Sequence, residues 1–194
     1  MYILIIALFT GGVLAGALAL RGLEKNQLLQ LNCYFVAFVE SLSGGSGAPD
    51  QGTIFRQALS LNFRYLLLTW FLGLFVFGFP LVGGLVGLRG FSLGFTVGFL
   101  VSRDSLRGVL FAAGAVLPHN LILVPALIVG SATAFSLSFL RLRCSLEKRP
   151  SPLREQFGSY SLIFLLMGLL VGVAVLTEAY ISPAFIKLLA PTIQ

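Results

Sequence analysis

Residues 108–140, GVLFAAGAVLPHNLILVPALIVGSATAFSLSFL, decide the fold: the run carries a single ionisable group, His119. A straight α-helix of that length would be about 50 Å long, against a bilayer hydrocarbon core of about 30 Å. The run can cross a membrane, but not as one upright helix. Pro118 supplies the expected break, because proline removes a backbone donor and crowds the preceding turn. Residues 108–117 are expected as a half-helix or re-entrant piece, and residues 119–140 as a full span. A kink and a re-entrant loop at Pro118 both fit the sequence.

Other apolar runs flank this one. Ile3 to Leu20 contains no charge. No basic residue precedes it and more spans follow, so it reads as a retained helix rather than a cleaved leader. Residues 65–79 are almost wholly apolar, hold Trp70, the only tryptophan, and stop at Pro80. Residues 81–101 are apolar except for Arg89. That arginine is expected to mark a turn near one membrane face, with a short span after it. Residues 161–177 form the last clean span, and Glu178 to Gln194 are expected as an interfacial helix on the outer face. The fold class is therefore all-α: one polytopic membrane domain over 1–194 with about five transmembrane helices, a Pro-broken or re-entrant segment and an extracytoplasmic amphipathic helix.

Composition agrees. Of 194 residues, 57% are hydrophobic and 10% charged, where soluble domains carry roughly 25% charged residues. That excludes a soluble globule, and it excludes disorder for most of the chain. The net charge of +6 does not indicate nucleic acid, because the basic residues sit at the ends of apolar runs, as membrane proteins place them. Arg141, Arg143, Lys148, Arg149 and Arg154 make the densest basic cluster, in the polar stretch 141–159. The positive-inside rule puts that stretch in the cytoplasm. Counting spans from there puts the N-terminus inside, the C-terminus outside and residues 21–64 outside.

Chemistry-bearing groups are sparse. Cys33 and Cys144 lie far apart, without metal-ligand spacing. One histidine allows neither a His-based metal cluster nor a Ser–His–Asp triad, and no P-loop, carboxylate pair or hydrolase motif is present. No catalytic, cofactor-binding or metal residue is assigned, and the expectation is a protein that is not an enzyme. Asp104 and Glu178 stand at span edges, which argues against an ion-coupled transporter.

Three constellations remain. Leu28, Leu31, Phe35, Phe38 and Leu42 step by three and four, one stripe of an amphipathic helix. The helix either continues from the first span or lies on the membrane. Its stripe packs on the chain's own helices or docks a partner. Residues 43–50, SGGSGAPD, follow as a flexible loop by composition. Gly90, Gly94 and Gly98 make a flat helix face, as do the pairs Gly12/Gly16 and Gly168/Gly172. Such a face serves packing within one subunit, or a homo-oligomer or partner helix. His119 and Asn120, beside Pro118, either satisfy carbonyls freed by the proline or form a polar site in the membrane.

Asn62, Gly73, Gly90-x3-Gly94-x3-Gly98 and Leu117-Pro118-His119-Asn120-x4-Pro125 together resemble the stage II sporulation protein M family, most strongly over residues 54–143. The resemblance implies a five-span protein of the mother-cell septal and engulfing membrane in endospore formers. It implies a scaffold that recruits stage II sporulation proteins D and P, two membrane-anchored peptidoglycan hydrolases, for wall remodelling during forespore engulfment. The wider family often has asparagine where Arg89 stands, glycine where Asn120 stands and an acid where Leu123 stands. Without that acid, a proton or metal site at His119 is not implied. The alternative function is a permease-like subunit passing a lipid or small substrate, suggested by the helix break at Pro118 and the cytoplasmic basic loop.

Overall fold

The computed structural model describes residues 1–42, 51–103, 114, 116–148 and 153–189. Among these residues there is no strand, and the helices are α1 (Tyr2–Ala19), α2 (Lys25–Leu42), α3 (Gln51–Gly73), α4 (Gly78–Arg103), α5 (Leu117–Leu146) and α6 (Leu153–Leu189). The expected all-α polytopic membrane fold is what the structure has. Among the described residues, four helices are long and apolar enough to cross a membrane: Tyr2–Gly22, Gly78–Ser102, Leu117–Leu146 and Glu155–Tyr180. α3 is a fifth long helix whose first two-thirds carry Arg56, Gln57, Asn62 and Arg64. The loop 43–50 and most of the expected half-helix 108–117 lie outside the described residues.

α1 continues into a 3-10 turn, Leu20–Gly22, and the chain turns extended at Leu23. The Gln27 side chain accepts the Glu24 N–H at 3.1 Å, which satisfies one orphan donor at the start of α2. In α1 the Thr10 hydroxyl donates to the Ile6 carbonyl at 2.9 Å, so an apolar helix exposes no unpaired hydroxyl to lipid.

The structure corrects three expected boundaries. Pro80 does not end a span. It lies in the first turn of α4, where its missing N–H costs nothing. The turn between α3 and α4 is residues 74–77, closed by Leu74 N–H to Phe71 O at 3.0 Å and Phe75 N–H to Leu72 O at 3.1 Å. Arg89 marks no turn: α4 runs through it unbroken. Pro118 lies in the first turn of α5, where the expected span after it begins, and the proline inside that helix is Pro125. The predicted outer tail is not a separate helix, because α6 runs on to Leu189. The polar stretch 141–159 is mostly helical as well, with Arg141 and Arg143 in α5. Past the end of α5, Lys148 takes a left-handed backbone with φ 52°.

α1 packs along α4 on glycine. A Cβ at Gly12 would overlap the Gly87 carbonyl, and one at Gly16 the Phe91 carbonyl. From the other side, Gly90 meets the Phe9 carbonyl, Gly94 the Val13 carbonyl and Gly98 the Leu20 side chain. Backbones approach this closely only where both faces lack side chains. Gly172, by contrast, has nothing within 4 Å. The central core joins Ile5, Leu66, Val82, Val86, Phe135 and Phe164, from α1, α3, α4, α5 and α6. A second core joins Ala58, Leu123, Val171 and Val175. Outward, α6 leaves Leu162, Leu165 and Leu169 more than half exposed, which is the surface a hydrocarbon solvent accepts.

Candidate functional site

Two tethers hold the α3–α4 turn. The Ser138 hydroxyl of α5 donates to the Phe75 carbonyl at 2.7 Å, and the Tyr160 hydroxyl of α6 donates to the Trp70 carbonyl at 2.6 Å. The first bond holds a carbonyl of the turn itself, and the second satisfies one at the C-terminal end of α3, where the helix has no donors of its own. Gly73 leaves the space that Tyr160 enters, since a Cβ there would overlap the tyrosine hydroxyl.

With that end fixed, the polar centre of the bundle falls into place. Arg89 stands eleven residues from the start of α4 and fourteen from its end, roughly 16 Å and 21 Å at the helical rise. It is near mid-span, a depth at which an arginine needs partners. Its Nη2 donates to Oδ1 of Asn62 on α3 at 2.7 Å. Asn62 is buried, and its own amide donates to the Ala58 carbonyl at 2.9 Å. That bond fixes which end of the amide turns to the arginine: only the oxygen can accept. The Arg89 guanidinium lies 6.0 Å from the Tyr65 ring centroid, within cation–π range. The hydroxyls of Tyr65 and Ser131 are buried neighbours without a partner at hydrogen-bond geometry. Glu178, toward the far end of α6, is within electrostatic reach of the arginine.

The broken-helix motif sits at the start of α5. Asn120 Nδ2 donates to the Val116 carbonyl at 2.8 Å and lies 3.1 Å from Nε2 of His119. The asparagine thus supplies a donor to a carbonyl next to Pro118. Pro125 is exposed in the second turn beyond it. Among the described residues no three His, Cys, Asp or Glu side chains converge as metal ligands would.

The stripe of α2 meets this chain. Leu28, Leu31 and Phe35 pack on Leu20, Phe99 and Leu100, and the Phe35 and Phe99 rings meet edge to face at 5.9 Å. The side chains of Phe38 and Leu42 lie outside the described residues. What α2 turns outward is the opposite face, with Leu29 62% and Tyr34 77% exposed. The candidate docking residues therefore divide: three are half-buried against α4, and the exposed apolar groups of α2 are ones the stripe passes over. Gly90, Gly94 and Gly98 come together with α1 and not with α3, α5 or α6.

Sequence reading missed the Arg89–Asn62 pair. The signal was an arginine placed midway along an apolar run long enough to span.

Compared with known proteins, the chain matches the family model described as Stage II sporulation protein M over residues 5–183. No curated protein and no solved structure matches it. The match spans every helix given above from the first turn of α1 to beyond Tyr180, and the membrane-embedded chain belongs to the stage II sporulation protein M family.

Proposed function

We propose that this chain is a non-catalytic membrane scaffold that recruits stage II sporulation proteins D and P for septal wall remodelling during forespore engulfment. The observation that carries the reading is family membership over nearly the whole chain. The orientation that goes with it has the N-terminus in the cytoplasm, α2 outside and the C-terminus outside, in the mother-cell septal membrane. The outward face of α2, with Leu29 and Tyr34 exposed, is the docking surface in this reading. Two hydrolases held on one scaffold act on the same stretch of wall at high effective concentration, with no chemistry from the scaffold itself.

The test is affinity capture of the tagged protein from gently solubilised membranes of sporulating cells, read by mass spectrometry. Recovery of both hydrolases, lost in Leu29→Asp/Tyr34→Asp while the helix content is kept, supports the scaffold. Recovery of an ATPase in their place overturns it. A second reading, a permease-like transport subunit for a lipid or small substrate, is favoured by one observation, the mid-span Arg89 with its Asn62 acceptor. Substrate flux in proteoliposomes that vanishes in Arg89→Ala or His119→Ala would support that reading. Hydrolase binding without flux would rule it out.

A further inference from the structure

Leu66 marks the middle of the membrane on α3. Its side chain reaches between α5 and α6, within 4 Å of where a Cβ on Gly130 or Gly168 would stand. Gly168 lies thirteen residues after Glu155 and twelve before Tyr180, the two ends of the α6 span. Arg64 precedes Leu66 by two residues, so its backbone stands ~3 Å from that central level. Leu66 is buried and Arg64 is exposed, so the arginine points away from the bundle. Arg89 at a similar depth has Asn62 as its acceptor. Arg64 has no partner among the described residues. Charged side chains at this depth are expensive, and they are almost always paired or turned inward.

The residues around Arg64 sort by depth. Ser60 and Arg56 lie one and two turns nearer the start of α3 on the same face, with exposed Gln57 beside them. Toward the end of α3 the exposed residues are Leu67, Leu68 and Phe71. The face is therefore polar and cationic from one membrane edge to the centre, and apolar from the centre onward. Such a face leads no lipid headgroup across the bilayer, because it stops at Leu67. A lipid phosphate at the nearer edge would lie roughly 12 Å from the Arg64 backbone, taking half of a 30 Å core. A second copy of this chain brings no counter-charge to this depth either. All seven of its acidic residues stand outside the four spans or in their end turns.

We propose that this face of α3 docks a transmembrane helix of another protein, one that carries a carboxylate near the middle of its span. The carboxylate takes the Arg64 guanidinium in a charge-assisted pair. Ser60 and Gln57 meet polar side chains in the same half of the bilayer, and Leu67, Leu68 and Phe71 pack on the apolar half of the incoming helix. The contact lies within the bilayer and on a different element from the α2 surface, so it does not depend on what α2 binds.

The test uses a synthetic partner of defined sequence. It is a lysine-flanked leucine–alanine transmembrane peptide with a dansyl group at one end and a single glutamate, glutamine or lysine at its centre. The purified full chain is reconstituted with each peptide in phosphatidylcholine vesicles. Energy transfer from Trp70, the only tryptophan and six residues from Arg64 on the same helix, reads association. The expected result is roughly threefold tighter association of the glutamate peptide than of the glutamine peptide, the scale of interhelical polar contacts in a bilayer. The lysine peptide should be the weakest. The preference should vanish in Arg64→Gln and stay in Arg143→Gln. Equal association of the glutamate and glutamine peptides overturns the proposal and means that lipid or water satisfies Arg64. So does a preference that survives Arg64→Gln, or one lost equally in Arg143→Gln, which would reveal only a diffuse basic field. Should Arg64→Gln fail to reconstitute, the lysine peptide decides with the parent protein: association as strong as that of the glutamine peptide overturns the site.

Discussion

Arg89 and Asn62, 27 residues apart in the chain, meet through a 2.7 Å hydrogen bond between α4 and α3. The asparagine is held for this by a second bond from its amide to the Ala58 carbonyl. A guanidinium near mid-span therefore rests on an acceptor that cannot easily turn away. Asn62→Ala removes that acceptor and leaves the charge. The expected loss is about 1.5–3 kcal/mol, the range for hydrogen bonds to charged groups. Asn62→Ala/Arg89→Leu should recover most of it, because the uncompensated charge has gone. Denaturant unfolding of the three proteins in detergent, followed by Trp70 fluorescence, checks the pair.

The glycine contact of α1 and α4 makes a sharper prediction. Gly94→Val puts a branched side chain where even a Cβ would overlap the Val13 carbonyl. Overpacking of this kind costs about 1–3 kcal/mol, and here the neighbour is backbone. Gly172→Ala should be neutral or slightly stabilising, since nothing lies within 4 Å and alanine favours the helix by about 1 kcal/mol. Thermal unfolding of the two variants, compared with the parent, separates a packed glycine from an unpacked one.

Tyr160→Phe and Ser138→Ala each remove one tether of the α3–α4 turn. Each is expected to cost about 1 kcal/mol. Tyr160→Phe should also alter the Trp70 emission, because the hydroxyl leaves the Trp70 carbonyl while the stacked ring remains. A shift in stability with no spectral change would place the tyrosine hydroxyl elsewhere.

Lys148 holds a left-handed backbone just past α5, a conformation that costs a residue with a Cβ about 1–2 kcal/mol. Lys148→Gly is expected to stabilise the protein by about 1 kcal/mol. A fall in the unfolding midpoint would contradict the cap.

Two native thiols test the path of α3. Cys33 is exposed on α2 and Cys144 is half-buried near the end of α5. If α3, α4 and α5 all cross, the two lie on opposite sides of the membrane. A membrane-impermeant maleimide should then label Cys33 in intact cells, and Cys144 only after permeabilisation. Labelling of both from one side would mean that α3 does not cross.

The apolar runs were legible because lipid imposes length and composition together: the runs at 3–20 and 161–177 each fall within one apolar helix. The interior was harder to read. Arg89 looked like a face marker because charges normally stand at span ends. Its partner is on another helix, and periodicity along one segment cannot reveal a contact 27 residues away. Pro80 was read as a stop where it is a start, since proline fits the first turn of a helix as well as the residue after one. The α2 stripe showed which side was apolar. That Leu20, Phe99 and Leu100 cover Leu28, Leu31 and Phe35 depends on how α4 ends beside it.

The pairing of α1 with α4 also has a consequence for biosynthesis. Gly12 and Gly90 belong to one contact surface yet are made roughly 80 residues apart, which at ~5–20 residues per second is a wait of about 4–16 s. During that time α1 resides in the bilayer with its flat stripe uncovered, available to any other helix with small residues. The nascent chain is thus most open to mispairing before α4 emerges. A mutation in α4 that spoils the glycine face would act first on insertion and quality control, and only later on the finished protein.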